Sequence, residues 1–115
     1  MRHSNSNRKF GRVRKVRNAL LKSLALSLVV NGKIKTTDAK ARELRPYVEK
    51  MVTQGQIGTL SSRRLLIGKI GIIGAEKIVK DLSPKYVERK GGYTRITKLP
   101  ARKSDGSAMA VIEFV

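Results

Sequence analysis

Cysteine and tryptophan are both missing from this chain, and histidine occurs once, at His3. Without cysteine there can be no disulfide, no thiolate metal site and no thiol chemistry. The sequence assembles no recognisable Ser-His-Asp or Cys-His constellation around its one histidine, and no second metal ligand stands near His3 in the sequence. Aromatic residues make up only 4% of the chain, so the core must be assembled from Leu, Ile, Val and Ala. Carboxylates are also scarce. There are 8 against 26 Lys and Arg, the first of them is Asp38, and none has the paired spacing of a two-metal nuclease. The stretch GKIGIIG (68–74) is rich in glycine but lacks the GxxxxGK[ST] arrangement of a phosphate loop. These absences argue against an enzyme and against any cofactor or metal.

What remains is one domain's worth of chain, 115 residues with a net charge of +18 and a pI near 11.1. Self-repulsion at that density opposes a compact state unless a polyanion neutralises it. Nucleic acid is the commonest such partner, because each phosphate contacted releases condensed counterions. Charge alone does not say which nucleic acid. A DNA-compacting protein would carry the same charge, but no dimerising element or intercalating wedge stands out.

The start, MRHSNSNRKFGRVRKVR, holds seven Lys or Arg and no carboxylate. With the apolar ALLKSLALSLVV (19–30) behind it, it has the outline of a secretory signal or a mitochondrial transit peptide. Lys22 within the run, and the lack of an A-x-A site before NGKIK, speak against the first; composition leaves the second open. The apolar run falls short of the ~20 residues of a membrane span. A surface helix on anionic lipid would want Lys and Arg on its polar face, whereas this one offers serines and one lysine. Core is the better reading.

Residues 1–17 read as an extended basic arm and 18–115 as a single compact domain. Leu20, Leu24 and Leu28 recur at helical spacing, and Asn31-Gly32 closes that helix. KIKTT (33–37) reads as a strand, with Thr37 capping the helix that follows. Leu44, Val48, Met51 and Val52 continue that second helix, and Pro46 predicts a kink or restart within it. LSSRRLLI (60–67) makes a short helix capped by Thr59, GKIGIIG reads as a loop, and AEKIVKDL (75–82) as another short helix. GGYTRITKL and AMAVIEFV alternate with period two, giving a hairpin around the basic loop PARKSDGS. The expected fold is α+β: helices on one face of a small mixed three-stranded sheet, in the order α-β-α-α-α-β-β, behind a basic arm.

Three stretches are candidate contacts for nucleic acid. In the arm, Arg2, Arg8, Lys9, Arg12, Arg14, Lys15 and Arg17 would meet phosphates, with Gly11 allowing close backbone approach and His3 a lesser contact. Around the glycine pair at 91–92, Arg89, Lys90, Gly91, Gly92, Tyr93 and Arg95 mix cations with a tyrosine able to stack on bases. The competing structural reading makes Gly91-Gly92 a turn and puts Tyr86 and Tyr93 at the edge of the core. Arg102 and Lys103 lie at the exposed hairpin tip. Arg63 and Arg64 read as a solvated helix face.

MRH followed by RKFGR, IKTT followed by AKARELRP, and GGYTRI with a closing MAVIEF are together specific in order and spacing. In these blocks the chain resembles the bacterial large-subunit ribosomal protein seventeen family, along nearly its whole length. The resemblance implies a non-catalytic constituent of the large subunit whose N-terminal stretch lies in ribosomal RNA near the exit of the nascent-chain tunnel. Large-subunit ribosomal RNA and neighbouring ribosomal proteins would be its partners. Contacts would fall at Arg2, His3, Arg8, Lys9, Gly11 and Arg12, and at Gly91, Gly92, Tyr93 and Arg95. It also implies residence on a cytoplasmic ribosome, or an organellar one, and it speaks against a cleaved transit peptide because the family pattern starts at Met1.

Overall fold

The computed structural model describes residues 3–4 and 8–115; Met1, Arg2 and residues 5–7 lie outside the described residues. The first helix, α1 (Arg14–Asn31), buries Ala25, Leu28 and Val29. It ends where Gly32 takes a left-handed φ of 78° and donates its N–H to the Leu28 carbonyl at 2.7 Å, the closure expected of Asn-Gly. After β1 (Lys33–Thr37), the Thr37 hydroxyl accepts from the Lys40 N–H at 3.3 Å and starts α2 (Asp38–Ile57). Thr59 caps α3 (Leu60–Ile70) in the same way, from the Ser62 N–H at 3.1 Å. The short α4 (Ile72–Lys77) runs on through a π-helical turn (Ile78–Leu82) into a last helical turn, α5 (Ser83–Lys85). β2 (Thr94–Leu99) and β3 (Met109–Phe114) complete the chain of elements.

The three strands form one sheet in the order β1-β3-β2. Both pairings are antiparallel, so the sheet is not the mixed one expected. Alternation in a sequence records which face a side chain takes and carries no strand direction. Ile34, Ile112 and Ile96 stand in one row across the sheet and face the helices. In the next row, Lys33, Glu113 and Arg95 project from the opposite face.

α2 is the centre of the core. Its Ala41, Leu44, Val48, Met51 and Val52 pack with Ala25 and Leu28 of α1, Leu66 and Ile70 of α3, Ile78 of the π turn, and Ala110 and Ile112 of the sheet. This burial on both sides carries α2 past Pro46 without a break. α1 begins at Arg14, inside the stretch assigned to the arm, and Leu24 is only partly buried where Leu28 is fully so. The arm is also not extended where it meets the helix. Phe10 (φ 55°) and Gly11 (φ 61°) are both left-handed, and the Arg12 N–H closes a turn on the Lys9 carbonyl at 3.1 Å.

GKIGIIG is helical rather than a loop, broken only at Gly71 (φ 93°). Gly68 sits on exposed helix with nothing near the place of a Cβ, whereas Gly55 is buried against the π turn. A Cβ at Gly55 would lie 2.9 Å from Ile78 Cγ2 and collide with the Ser83 hydroxyl, which donates to the Val52 carbonyl at 3.0 Å. The same substitution should therefore act in opposite directions. Gly68→Ala should stabilise by about 0.5–1 kcal/mol through backbone entropy, and Gly55→Ala should destabilise by about 1–3 kcal/mol through overpacking. Urea midpoints of the two variants check this.

Candidate nucleic-acid interface

The distribution of charge follows from who pairs with whom. Asp38, Glu43, Glu49, Glu76, Asp105 and Glu113 each lie within ion-pair distance of an arginine: Arg42, Arg8, Arg45, Arg63, Arg102 and Arg95 respectively. No lysine is paired among the described residues. Such exposed pairs add little stability. Their effect is to engage six of the eight carboxylates with arginines and to leave the lysines, and the described arginines of the arm other than Arg8, without counter-charge.

α1 begins with its charge reversed. Val13 offers no capping side chain, no carboxylate stands in the first turn, and Arg14, Lys15 and Arg17 crowd the positive end of the helix dipole. Anions are favoured there and cations are not. Arg17 also donates to the Arg12 carbonyl at 3.2 Å, tying the turn of the arm to the helix.

Between the arm, α1 and α2 lies a cleft of ≈ 470 Å³, lined by Arg8, Lys9, Arg17, Pro46, Tyr47, Lys50 and Lys69 among others. Glu43 also lines it and meets Arg8 at 3.9 Å. A second cleft of ≈ 550 Å³ opens between α2 and the Gly91 loop, with Lys90, Gly91 and Tyr93 on its wall. Pro46, Lys50 and Lys69 line both. Two basic stretches far apart in sequence are thus joined on one face by lysines that belong to neither.

The other candidates lie elsewhere. His3, Gly11, Arg12, Arg14 and Lys15 are exposed, and Arg2 lies outside the described residues. Arg89 and Gly92 are exposed near the second cleft's loop, while Arg95 stands on the far face of the sheet opposite Glu113, at 3.7 Å. Arg63 is paired with Glu76 at 3.2 Å. Tyr93 and Tyr86 are buried, their ring centroids 5.2 Å apart. The Tyr93 hydroxyl donates to the Arg89 carbonyl at 3.2 Å, and that of Tyr86 to the Val115 carbonyl at 2.5 Å. The stacking expected of Tyr93 is corrected by this burial: the ring is core, and its apolar body was worth more inside than on the surface. Tyr47 is the tyrosine that reaches the surface, with a half-buried ring whose desolvation raises its pKa.

At the hairpin tip Lys103 is exposed, but Arg102 helps to build the loop, contacting Asp105 at 3.4 Å and the Met109 sulfur at 3.3 Å. The Asp105 carboxylate accepts the Ser107 N–H at 3.1 Å, and this bond, with Arg102 beside it, lowers its pKa. A lowered pKa contributes order that is present above the ordinary carboxylate range of ~3.9 and is lost as pH falls through the lower folded value. Amide resonances of residues 103–107 should accordingly move on acidification below about pH 4, and Asp105→Asn should abolish that shift.

The profile of ribosomal protein L17 matches residues 20–115. The large ribosomal subunit protein bL17 of Nautilia profundicola is 44% identical over 120 residues, covering 100% of this chain and 98% of its own. That of Gemmatimonas aurantiaca is 47% identical over 116 residues with the same coverage. The bL17 of Shouchella clausii is 45% identical, covering 93% of this chain and 97% of its own. The chain belongs to the ribosomal protein L17 family. The family resemblance of its sequence blocks is therefore correct, and as an L17-family chain it is a structural ribosomal protein, not an enzyme. No helix among the described residues of this L17-family chain is long and apolar enough to cross a membrane. Reading the sequence missed Lys50, Lys69 and Tyr47, which sit on two helices and gain their place in the site only when α2 and α3 pack.

Proposed function

We propose that the chain is a constituent of the large ribosomal subunit that binds the subunit's RNA through its basic N-terminal stretch, residues 1–17, and through the basic loops at 89–95 and 102–103, near the exit of the nascent-chain tunnel. Neighbouring large-subunit proteins complete its surroundings. The observation that carries this reading is the pairing of carboxylates with arginines alone, which leaves the arm and the two clefts with a surplus of free cations. The uncapped, cation-loaded start of α1 supports it, because phosphate would supply the anion that this helix end lacks.

Sedimentation of tagged protein from cell lysate through a gradient tests the assignment, with a wash at roughly 0.5 M salt to strip loose polycation binding. Stoichiometric retention on the large subunit is the expected result. Release to the top fractions would overturn it.

A further inference from the structure

Lys50 and Lys69 come from different helices, α2 and α3, and both line the arm cleft and the Gly91 cleft. Neither lies within ion-pair distance of a carboxylate among the described residues. The two carboxylates on this face are already engaged: Glu43 with Arg8 at 3.9 Å, and Glu49 with Arg45 at 3.5 Å and with the Thr94 hydroxyl at 2.9 Å. Lysines left free at the junction of two clefts can meet phosphate oxygens as point charges, without demanding a fixed orientation. Beside them, the hydroxyl of Tyr47 has no protein hydrogen-bond partner among the described residues, unlike those of Tyr86 and Tyr93.

We propose that a single unpaired RNA strand crosses this face from the arm to the Gly91 loop, its phosphates on Lys50 and Lys69 and one of its bases stacked on Tyr47. This rests on the RNA-binding reading and gives it a path and a strand type. A duplex offers a phosphate ridge but keeps its bases stacked inside, out of reach of a ring in a cleft wall. An unpaired strand offers both, and base–aromatic stacking beside a cationic groove is how sequence-tolerant single-strand binding is built. At the far end Gly91 (φ 153°) presents bare backbone with nothing within 4 Å of a Cβ position, so a sugar-phosphate chain can approach closely.

The absence of tryptophan makes the test direct, because Tyr47→Trp places the chain's sole indole in the cleft. Full-length variants are titrated with a labelled single-stranded RNA of mixed sequence, with an RNA duplex of equal length, and with large-subunit RNA. Tryptophan fluorescence should be quenched by the single strand and not by the duplex. Tyr47→Leu should weaken single-strand binding about tenfold while Tyr47→Phe preserves it. Lys50→Gln with Lys69→Gln should reduce the log–log salt slope by about 1.5, whereas Lys33→Gln with Lys35→Gln, on the opposite face of the sheet, should leave it unchanged. Circular dichroism confirms that each variant is folded. An unchanged slope in the Lys50/Lys69 variant, or quenching that is absent or equal with duplex, overturns the track while leaving RNA binding intact. Failure of the wild-type chain to bind large-subunit RNA overturns the RNA-binding reading itself.

Discussion

Removing residues 1–13, up to the first residue of α1, should flatten the log–log salt dependence of binding to large-subunit RNA by about 3. The deleted stretch carries Arg2, Arg8, Lys9 and Arg12, and each phosphate neutralised contributes roughly 0.7–0.9 to the slope. Ending the deletion at residue 13 keeps the helix whole, so that a change in slope reports lost contacts rather than lost fold. Replacing Arg14, Lys15 and Arg17 by Gln in the truncated chain should subtract about 2 more, since these cations sit on the first turn of α1 and Arg17 lines the cleft. Affinity measured by filter binding across a salt series gives both numbers. A slope that survives the deletion would mean that the arm does not touch phosphate.

Leu28→Ala and Leu44→Ala should each cost about 2–5 kcal/mol of folding free energy. Both side chains are fully buried and lie where α1 and α2 meet the rest of the core. Domains of this size have total stabilities of about 5–15 kcal/mol, so either variant approaches unfolding at ordinary temperature. A core without tryptophan and with few other aromatics has little large side-chain area in reserve. Leu24→Ala should cost clearly less, because that side chain keeps part of its surface in water. Urea denaturation of the three variants orders them, and a cost at Leu24 equal to that at Leu28 would contradict the packing described.

Where the sequence repeats a physical period, the fold was legible. Leucines four apart in α1, threonine caps at Thr37 and Thr59, the left-handed Gly32 and the alternation in β2 and β3 are all local signals, and all appear in the structure. The misreadings came where a local preference yields to packing. Glycines at 68 and 74 suggest a loop, yet one lies on an exposed helix face and the other lets α4 close on Ile70, whose side chain lies 2.8 Å from where a Cβ would be. Pro46 suggests a break, yet the buried residues on either side of it hold α2 together.

The candidate binding face divides in the same way. The basic runs were plain in the sequence, since a run is a local property. The lysines that join them were not, because Lys50 and Lys69 are single cations on ordinary helices. The three tyrosines show the limit most clearly. Tyr93, next to two glycines and an arginine, had the better sequence context for a base, but it is inside, and Tyr47 is the one at the surface. Only the packing of β2 and α5 against α2 separates them.

The strand order β1-β3-β2 has a consequence for how the chain is made. Synthesis yields the polycationic stretch before β1, and the strand that must sit beside β1 only after α2 to α5 have followed. β1 therefore emerges with its hydrogen-bonding edge open, and a pairing so remote in sequence is slow to form. The nascent chain carries its positive charge before it owns a sheet, and an open strand edge waits meanwhile as a site for misassociation.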